Sequence, residues 1–129
     1  MKTTLNVVIA DDSPLVRERL AVLLSELDGI DLVGQAGTGD ETLQAVERLK
    51  PDVLILDLHM PGNNGMEVLE AIKRGGAGPV VIVLTAFPYP RYRERCLKAG
   101  AEYFFDKASE FEEVSEALQQ LRDTRGGLR

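Results

Sequence analysis

The sequence predicts an α/β protein, with a doubly wound sheet of five parallel strands and five helices packed on its two faces. Short apolar runs alternate along the 129 residues with stretches in which apolar residues recur at helical spacing. The middle runs are apolar throughout rather than at every second position, which indicates strands buried on both faces. Because parallel strands need crossover connections, this alternation favours repeated βα units.

The five apolar runs are rich in the β-branched, leucine and aromatic residues that strands prefer. They are Leu5–Ala10, Asp31–Gln35, Val53–Leu56, Val80–Leu84 and Tyr103–Phe105. For a chain of this length and alternation we expect the flavodoxin-like strand order 2-1-3-4-5, which is one of the two common orders of doubly wound sheets.

Each predicted strand is followed by a predicted helix. Ser13 is expected to cap the first helix, with Pro14 in its first turn, and the apolar pattern continues until Gly29. Asp40 is expected to cap the second helix, which Pro51 ends. The other three are predicted at Met66–Arg74, Tyr92–Ala99 and Phe111–Leu121.

Composition indicates one globular domain, predicted over residues 1–121. Apolar residues make up 44% of the chain and charged residues 28%. Residues 122–129 are polar and Gly-rich, so we expect a frayed tail or the start of a linker there. No stretch reaches the roughly 20 apolar residues of a membrane span, and the N-terminus lacks a signal-peptide pattern, so no membrane contact and a cytoplasmic location are expected.

The charge of the chain restricts its partners. A net charge of -6 and a pI near 4.8 would repel a phosphate backbone, so no nucleic-acid binding is expected from this chain alone. The lone Cys96 is interpreted as a small packed residue. An acidic surface usually serves solubility, but acidic residues gathered at one point could instead hold a divalent cation.

Polar residues follow the strands at the carboxyl edge of the predicted sheet, where ligands bind in such folds. They are Asp11 and Asp12 after the first strand, Asp57 after the third, Thr85 after the fourth, and Asp106 and Lys107 after the fifth. Any one carboxylate could be a helix cap, but three that converge would repel strongly without a cation. Oxygen ligands without a His or Cys cluster select Mg²⁺, Mn²⁺ or Ca²⁺ over zinc, and an open, hydrated site suits Mg²⁺ best.

Lys107 and Thr85 would add a cation and a hydroxyl to the same rim. These groups suit a phosphoryl group, whose transfer depends on positioning and on neutralising charge at its oxygens. Asp57 could then be a nucleophile that forms an aspartyl phosphate. The alternative for Lys107 is a structural ion pair.

Several segments together resemble the response-regulator receiver family of two-component signalling, whose chemotaxis regulator has the strand order expected here. They are Asp11-Asp12, Asp57-Leu58-His59-Met60-Pro61 with Gly65, Leu84-Thr85-Ala86, and Lys107. The resemblance covers about Leu5 to Leu121. It implies that Asp57 accepts phosphate, that Thr85 and Lys107 contact it, and that Asp11, Asp12, Asp57 and the His59 backbone carbonyl hold Mg²⁺.

The same resemblance implies how a signal enters and leaves. The phosphoryl donor would be a histidine kinase or a phosphotransfer protein, and the recipient a downstream protein target or an output domain. Phe104 falls at the family's switch aromatic, although a plain core residue is an equal alternative. Self-phosphorylation and autodephosphorylation would be slow, so the domain is a switch rather than an enzyme. A stand-alone regulator and the receiver part of a longer one are both open.

Three features depart from the family pattern. Ala108 stands where proline usually follows the lysine, which puts the geometry of that loop in question. Pro88 and Pro90 predict a late start for the fourth helix and a stiff loop before it. His59 could steer an attacking water, but a solvated side chain is favoured.

Two other classes of protein share parts of this pattern. A Rossmann-type nucleotide binder would use a Gly-rich turn, but the glycines of residues 34–39 are in the wrong order and follow the second strand. A Mg²⁺-dependent phosphatase of the haloacid dehalogenase type also uses an aspartyl nucleophile. Its nucleophile would follow the first strand, whereas Asp57 follows the third.

Overall fold

A computed structural model of the chain describes residues 4–62, 64–76 and 78–127. It contains a five-stranded parallel sheet in the order β2-β1-β3-β4-β5, so the predicted fold and strand order are confirmed. The elements in chain order are β1 Leu5–Ala10, α1 Pro14–Ser25, β2 Ile30–Ala36, α2 Gly39–Leu49, β3 Val53–Leu56, α3 Gly65–Arg74, β4 Val80–Thr85, α4 Pro90–Lys98, β5 Tyr103–Asp106 and α5 Glu113–Gly127.

The sheet separates two apolar layers because successive strand residues point to opposite faces. Val8, Leu54 and Val81 belong to the layer that also contains buried residues of α2, α3 and α4. Ile9 and Ile55 belong to the layer shared with α1 and α5. The fully apolar strands predicted from the sequence are therefore covered on both sides.

Strand register brings the carboxyl ends of β1 and β3 together. Ala10, the last residue of β1, pairs with Leu56, the last residue of β3. The amide of Asp57 donates to the Ala10 carbonyl at 2.9 Å, and the amide of Asp11 donates to the Ala36 carbonyl at 2.9 Å. Asp11 and Asp57 therefore leave neighbouring strands at the same edge of the sheet.

The helix starts follow local capping chemistry, with one correction. Ser13 caps α1 as predicted, since its Oγ accepts from the Val16 amide at 3.2 Å. Asp40 does not cap α2; Thr38 does, with its Oγ1 accepting from the Glu41 amide at 3.1 Å. Thr38 has the extended backbone that a cap requires, whereas Asp40 already lies in the first helical turn.

Two helices differ from their predicted bounds. Helix α4 begins at Pro90 rather than at Tyr92, because proline fits the first helical position, where no backbone donor is needed. Helix α5 starts two residues after Phe111 and continues to Gly127. Residues 122–127 are therefore helical rather than a frayed tail; residues 128–129 lie outside the described residues, and a linker here stays a prediction. Among the described helices, none is both long and apolar enough to span a membrane.

Candidate functional site

Three carboxylates meet at the carboxyl edge of the sheet. Asp11 and Asp12 follow β1, Asp57 follows β3, and one oxygen of each lies within 4.8 Å of the others. Asp11 is 2% exposed and Asp57 is 4% exposed, whereas Asp12 faces solvent. The structure thus brings together the three acids that the sequence singled out.

Backbone amides fix the two buried carboxylates. The Ser13 amide donates to Asp11 Oδ1 at 2.9 Å, and the His59 amide donates to Asp57 Oδ1 at 3.1 Å. In each case the donor lies two residues after the acid. The loop that follows the strand therefore orients the carboxylate with which it begins. Arg17 of α1 also donates to the Asp11 carbonyl at 2.5 Å, which ties this loop to the helix.

Lys107 supplies a cation between the two buried acids. Its Nζ lies 2.6 Å from Asp11 Oδ2 and 3.5 Å from Asp57 Oδ2. Its backbone amide donates to the Thr85 carbonyl at 2.8 Å, which holds the end of β5 against β4. The ammonium faces the oxygens that the Ser13 and His59 amides leave free, so it offsets part of the repulsion between the acids.

Asp106 holds the loop after Lys107, the loop whose geometry was in question because Ala108 replaces the usual proline. The amide of Ala108 donates to Asp106 Oδ1 at 2.9 Å, and the Ser109 hydroxyl donates to Asp106 Oδ2 at 3.0 Å. Proline at position 108 would have no amide hydrogen for the first bond. Alanine is thus accommodated by a hydrogen bond that the usual residue cannot make.

Burial raises the pKa of the Asp57 carboxyl above its ordinary value. The amide of His59 and the ammonium of Lys107 lower this pKa, while the charge of Asp11 adds to the rise. Loss of hydration outweighs the favourable contacts, so the pocket by itself does not favour the ionised form. A cation bound beside Asp57 would lower this pKa.

Thr85 is the last residue of β4 rather than the first residue after it, and it is fully buried. Its Oγ1 accepts from the Phe87 amide at 3.0 Å. Phe104 is also buried, and Arg93 of α4 holds it: the guanidinium lies 5.9 Å from the ring centroid and donates to the Phe104 carbonyl at 3.2 Å. The resemblance implies a ring that turns from exposed to buried on phosphorylation, and in this structure the ring is buried.

Gly65 and His59 shape the loop after Asp57. A Cβ on Gly65 would overlap the backbone of Leu58, and the Gly65 amide donates to the Leu58 carbonyl at 3.1 Å. Only glycine permits α3 to begin so close to the loop that follows Asp57. The exposed His59 ring lies 4.5 Å from the Phe87 ring, a contact that sequence spacing does not predict because both residues are in loops.

The ligand set fits a hard divalent cation. Oxygen ligands of one Mg²⁺ lie at most about 4.2 Å apart, so small rotations of these carboxylates would close the site. The chain contains one histidine and one cysteine. Cys96, the buried residue of α4, packs against Met66, and burial raises the pKa of its thiol to about 11. A nitrogen–sulfur metal site is thus not formed here, and the chemistry of the donors favours Mg²⁺.

The fold and this site define the receiver class of signalling domains, and comparison with known proteins agrees. The model of the response regulator receiver domain family matches residues 7–119, so the chain belongs to that family. Phosphorylation and Mg²⁺ binding are general features of the family, which is a signalling family rather than a catalytic one. Its members interact with histidine kinases and output domains. The phosphatase and Rossmann alternatives are therefore not favoured.

Relatives and solved structures point to the same class. The chain is 37% identical over 112 residues to the uncharacterized transcriptional regulatory protein YvfU of Bacillus subtilis, covering 87% of this chain and 56% of that protein. It is 32% identical to the response regulator GacA of Pseudomonas aeruginosa, with coverage of 91% and 55%. The chain thus spans about half the length of the curated relatives it matches. The receiver domain of the putative response regulator NarL from Mycobacterium tuberculosis superposes with a TM-score of 0.85 at 31% identity, covering 93% of this chain and 97% of that chain.

Proposed function

We propose that Asp57 accepts a phosphoryl group from the phosphohistidine of a histidine kinase or phosphotransfer protein. The observation that carries this proposal is the convergence of Asp11, Asp12 and Lys107 on the buried Asp57 carboxylate. In the transfer, an oxygen–phosphorus bond forms at Asp57 while the nitrogen–phosphorus bond of the donor breaks. The donor imidazole leaves with a proton from solvent, so charge and atoms balance.

Asp11, Asp12, Asp57 and the backbone carbonyl of His59 would hold Mg²⁺. The bound ion supplies charge neutralisation for the phosphoryl oxygens and the carboxylates. The His59 amide keeps Asp57 Oδ1 in place, and the backbone bonds of β1 and β3 keep the two buried acids at a fixed separation. The nucleophile is therefore oriented before the donor arrives, which lowers the entropic cost of transfer.

Lys107 and Thr85 would contact the transferred group. The Lys107 ammonium already lies 3.5 Å from Asp57 Oδ2, close to where the phosphoryl oxygens would sit. Thr85 lies at the end of the neighbouring strand, and its Oγ1 accepts from the Phe87 amide. A hydroxyl that turned to donate to a phosphoryl oxygen would change its bond to the Phe87 amide and so move the loop before α4.

The proposed output is a change in the face formed by α4, β5 and α5. Phe104 of β5 is buried in the apolar layer beside α4, and Arg93 links its carbonyl to that helix. Phe lacks the hydroxyl of Tyr, so the two ring positions would differ in packing alone. The recipient would be a protein target or an output domain, and the half-length match to transcriptional regulators supports the receiver part of a longer regulator. A cytoplasmic location stays a prediction.

The domain would behave as a switch with only slow self-phosphorylation and autodephosphorylation. Its site contains charge-neutralising groups, and the side chain of His59, two residues after Asp57, could influence an attacking water. The exposed His59 ring packs against Phe87. This contact supports a modest effect on phosphate lifetime rather than a general-base role.

Intact-mass spectrometry after incubation with acetyl phosphate tests the proposal. One added phosphoryl group is expected with Mg²⁺ and none with excess chelator. Asp57→Asn should abolish the adduct, whereas Asp31→Asn, on the exposed part of β2, should leave it unchanged. An equal yield of phosphorylated Asp57→Asn would refute the assignment of the acceptor.

A further inference from the structure

A groove of about 450 Å³ opens between the loop that follows β3 and the side of α4. We call it the α4 groove, lined by Met60, Met66, Tyr92 and Arg95 among others. Its floor is apolar, because both methionines are buried and Cys96 Sγ packs 3.4 Å from Met66 Sδ. Methionine side chains repack around ligands of different shape, so the floor suits an apolar side chain inserted from outside.

Aromatic rings extend the α4 groove along its rim. The His59 centroid lies 4.5 Å from that of Phe87 and 6.0 Å from that of Tyr92, and Tyr89 lies 5.7 Å from Tyr92. Phe87 is 44% exposed and Tyr89 is 52% exposed. Single exposed apolar residues are common, but a contiguous aromatic patch beside a groove is typical of an interaction site.

The helix beside the groove is basic, although the chain as a whole carries a net charge of -6. Helix α4 has one acid, Glu94, and four cations: Arg91, Arg93, Arg95 and Lys98. Arg93 is engaged with Phe104, but Arg95, at the groove wall, is exposed and forms no ion pair with the residues that the structure describes. A carboxylate entering the groove would meet a guanidinium without a competing acid.

We propose that the α4 groove binds a short acidic segment of a partner protein. The segment inserts an apolar side chain onto the methionine floor and pairs a carboxylate with Arg95. The volume holds one or two side chains, as peptide-binding grooves with a few anchor residues do. A nucleic acid is a poorer occupant, because a phosphate backbone offers no apolar side chain to the buried methionines Met60 and Met66. This binding goes beyond the phosphorylation of Asp57 and does not require it.

Fluorescence anisotropy with defined probes tests the proposal. The probe is a fluorescein-labelled hexapeptide, EELFEE, with matched peptides KKLFKK and EEAAEE and a single-stranded oligothymidylate. We expect saturable binding of EELFEE with a Kd below about 1 mM, and at least about tenfold weaker binding of the other three. Absence of saturable binding, or equal binding of KKLFKK or the oligothymidylate, would overturn the acidic-peptide assignment.

Matched variants locate the binding. Arg95→Glu should weaken EELFEE binding by about tenfold or more, the loss expected for a charged hydrogen bond. Arg48→Glu, the same change on an exposed position of α2, should alter Kd by less than about twofold. Phe87→Ala should also weaken binding, because it removes part of the aromatic rim. If Arg95→Glu and Arg48→Glu behave alike, the α4 groove is not the site. Mg²⁺-dependent phosphorylation of Arg95→Glu should be normal, which separates this result from a failure of Asp57 phosphorylation.

Discussion

Replacing Asp57 with asparagine should stabilise the protein in the absence of divalent cations. The Asp57 carboxylate is buried, and it shares its pocket with Asp11 and Asp12, one oxygen of each lying within 4.8 Å. The Lys107 ammonium opposes this repulsion from 3.5 Å away. Because burial raises the pKa of the Asp57 carboxyl, its ionised form is less favourable in the folded protein than in water.

The expected magnitude follows from these distances. At an effective dielectric constant of 20, like charges at most 4.8 Å apart repel by at least about 3.5 kcal/mol, and opposite charges 3.5 Å apart attract by about 5 kcal/mol. Solvent screens the exposed Asp12, so repulsion from the two acids and attraction to Lys107 nearly cancel. The cost of removing water from the Asp57 carboxylate therefore determines whether the substitution raises or lowers the free energy of unfolding. We expect Asp57→Asn to raise the free energy of unfolding by about 1–2 kcal/mol.

The gain should depend on pH, because asparagine does not titrate. Since the Asp57 pKa is raised on folding, this group stabilises the folded state most below its ordinary pKa, and that contribution is lost as pH rises through the raised value. The advantage of Asp57→Asn should therefore be present at neutral pH and disappear below about pH 4. With Mg²⁺ present, the parent should be more stable than Asp57→Asn, because the ion binds the parent more tightly and stabilises it by mass action.

Urea unfolding and thermal melts of the metal-free protein measure this effect. A rise in melting temperature of roughly 3–10 °C is expected for Asp57→Asn in chelator, and Asp31→Asn should change it little. Addition of Mg²⁺ should raise the melting temperature of the parent and of Asp31→Asn more than that of Asp57→Asn. A metal-free Asp57→Asn protein less stable than the parent at neutral pH would refute the view that this carboxylate is held at an electrostatic cost.

Three further changes test the surrounding groups. Asp12→Asn should weaken Mg²⁺ binding, measured by calorimetric titration, by at least about tenfold; unchanged affinity would contradict its role as a ligand. Lys107→Met leaves Asp11 buried without its partner, so the metal-free protein should lose about 3–5 kcal/mol in urea unfolding, and Mg²⁺ should restore part of the loss. Gly65→Ala forces a methyl group against the Leu58 backbone and should cost at least about 1–3 kcal/mol, whereas Gly75→Ala, with open space around it, should be far milder.

The sheet could be predicted because its signal is local and strong. Residues Val53–Leu56 form an apolar run with no polar interruption, and such a run is stable only between two covering layers. The site followed from the sheet, because residues at the carboxyl ends of neighbouring parallel strands must lie close together. Asp11 and Asp57 needed only the correct strand order to be placed side by side.

Helix ends were harder to predict, since several residues compete for the same role. Thr38 and Asp40 are both good caps, and the choice depends on which of them keeps an extended backbone where β2 turns into α2. The proline at position 90 was interpreted as a delay to α4, but a proline in the first turn is also a helix start. The polar, Gly-containing end of α5 gave no apolar periodicity to follow, yet it remains helical to Gly127.

Contacts between two loops could not be predicted from the sequence. The rings of His59 and Phe87 meet across the end of the sheet, and the two residues are separated by a helix and a strand in the chain. No periodicity links them, because their positions depend on the backbone path of two loops. The same reasoning applies to the Asp106 bonds that replace the usual proline after Lys107.

Chemical mapping of the phosphoryl group is the most direct test of the central claim. The protein is incubated with acetyl phosphate and Mg²⁺, reduced with borohydride, which converts an aspartyl phosphate to homoserine, and sequenced by tandem mass spectrometry. We expect the modified residue at position 57 alone, and only in samples that contained Mg²⁺. Modification at Asp11, Asp12 or Asp106 in place of Asp57, or equal modification of Asp57 in chelator, would contradict the account.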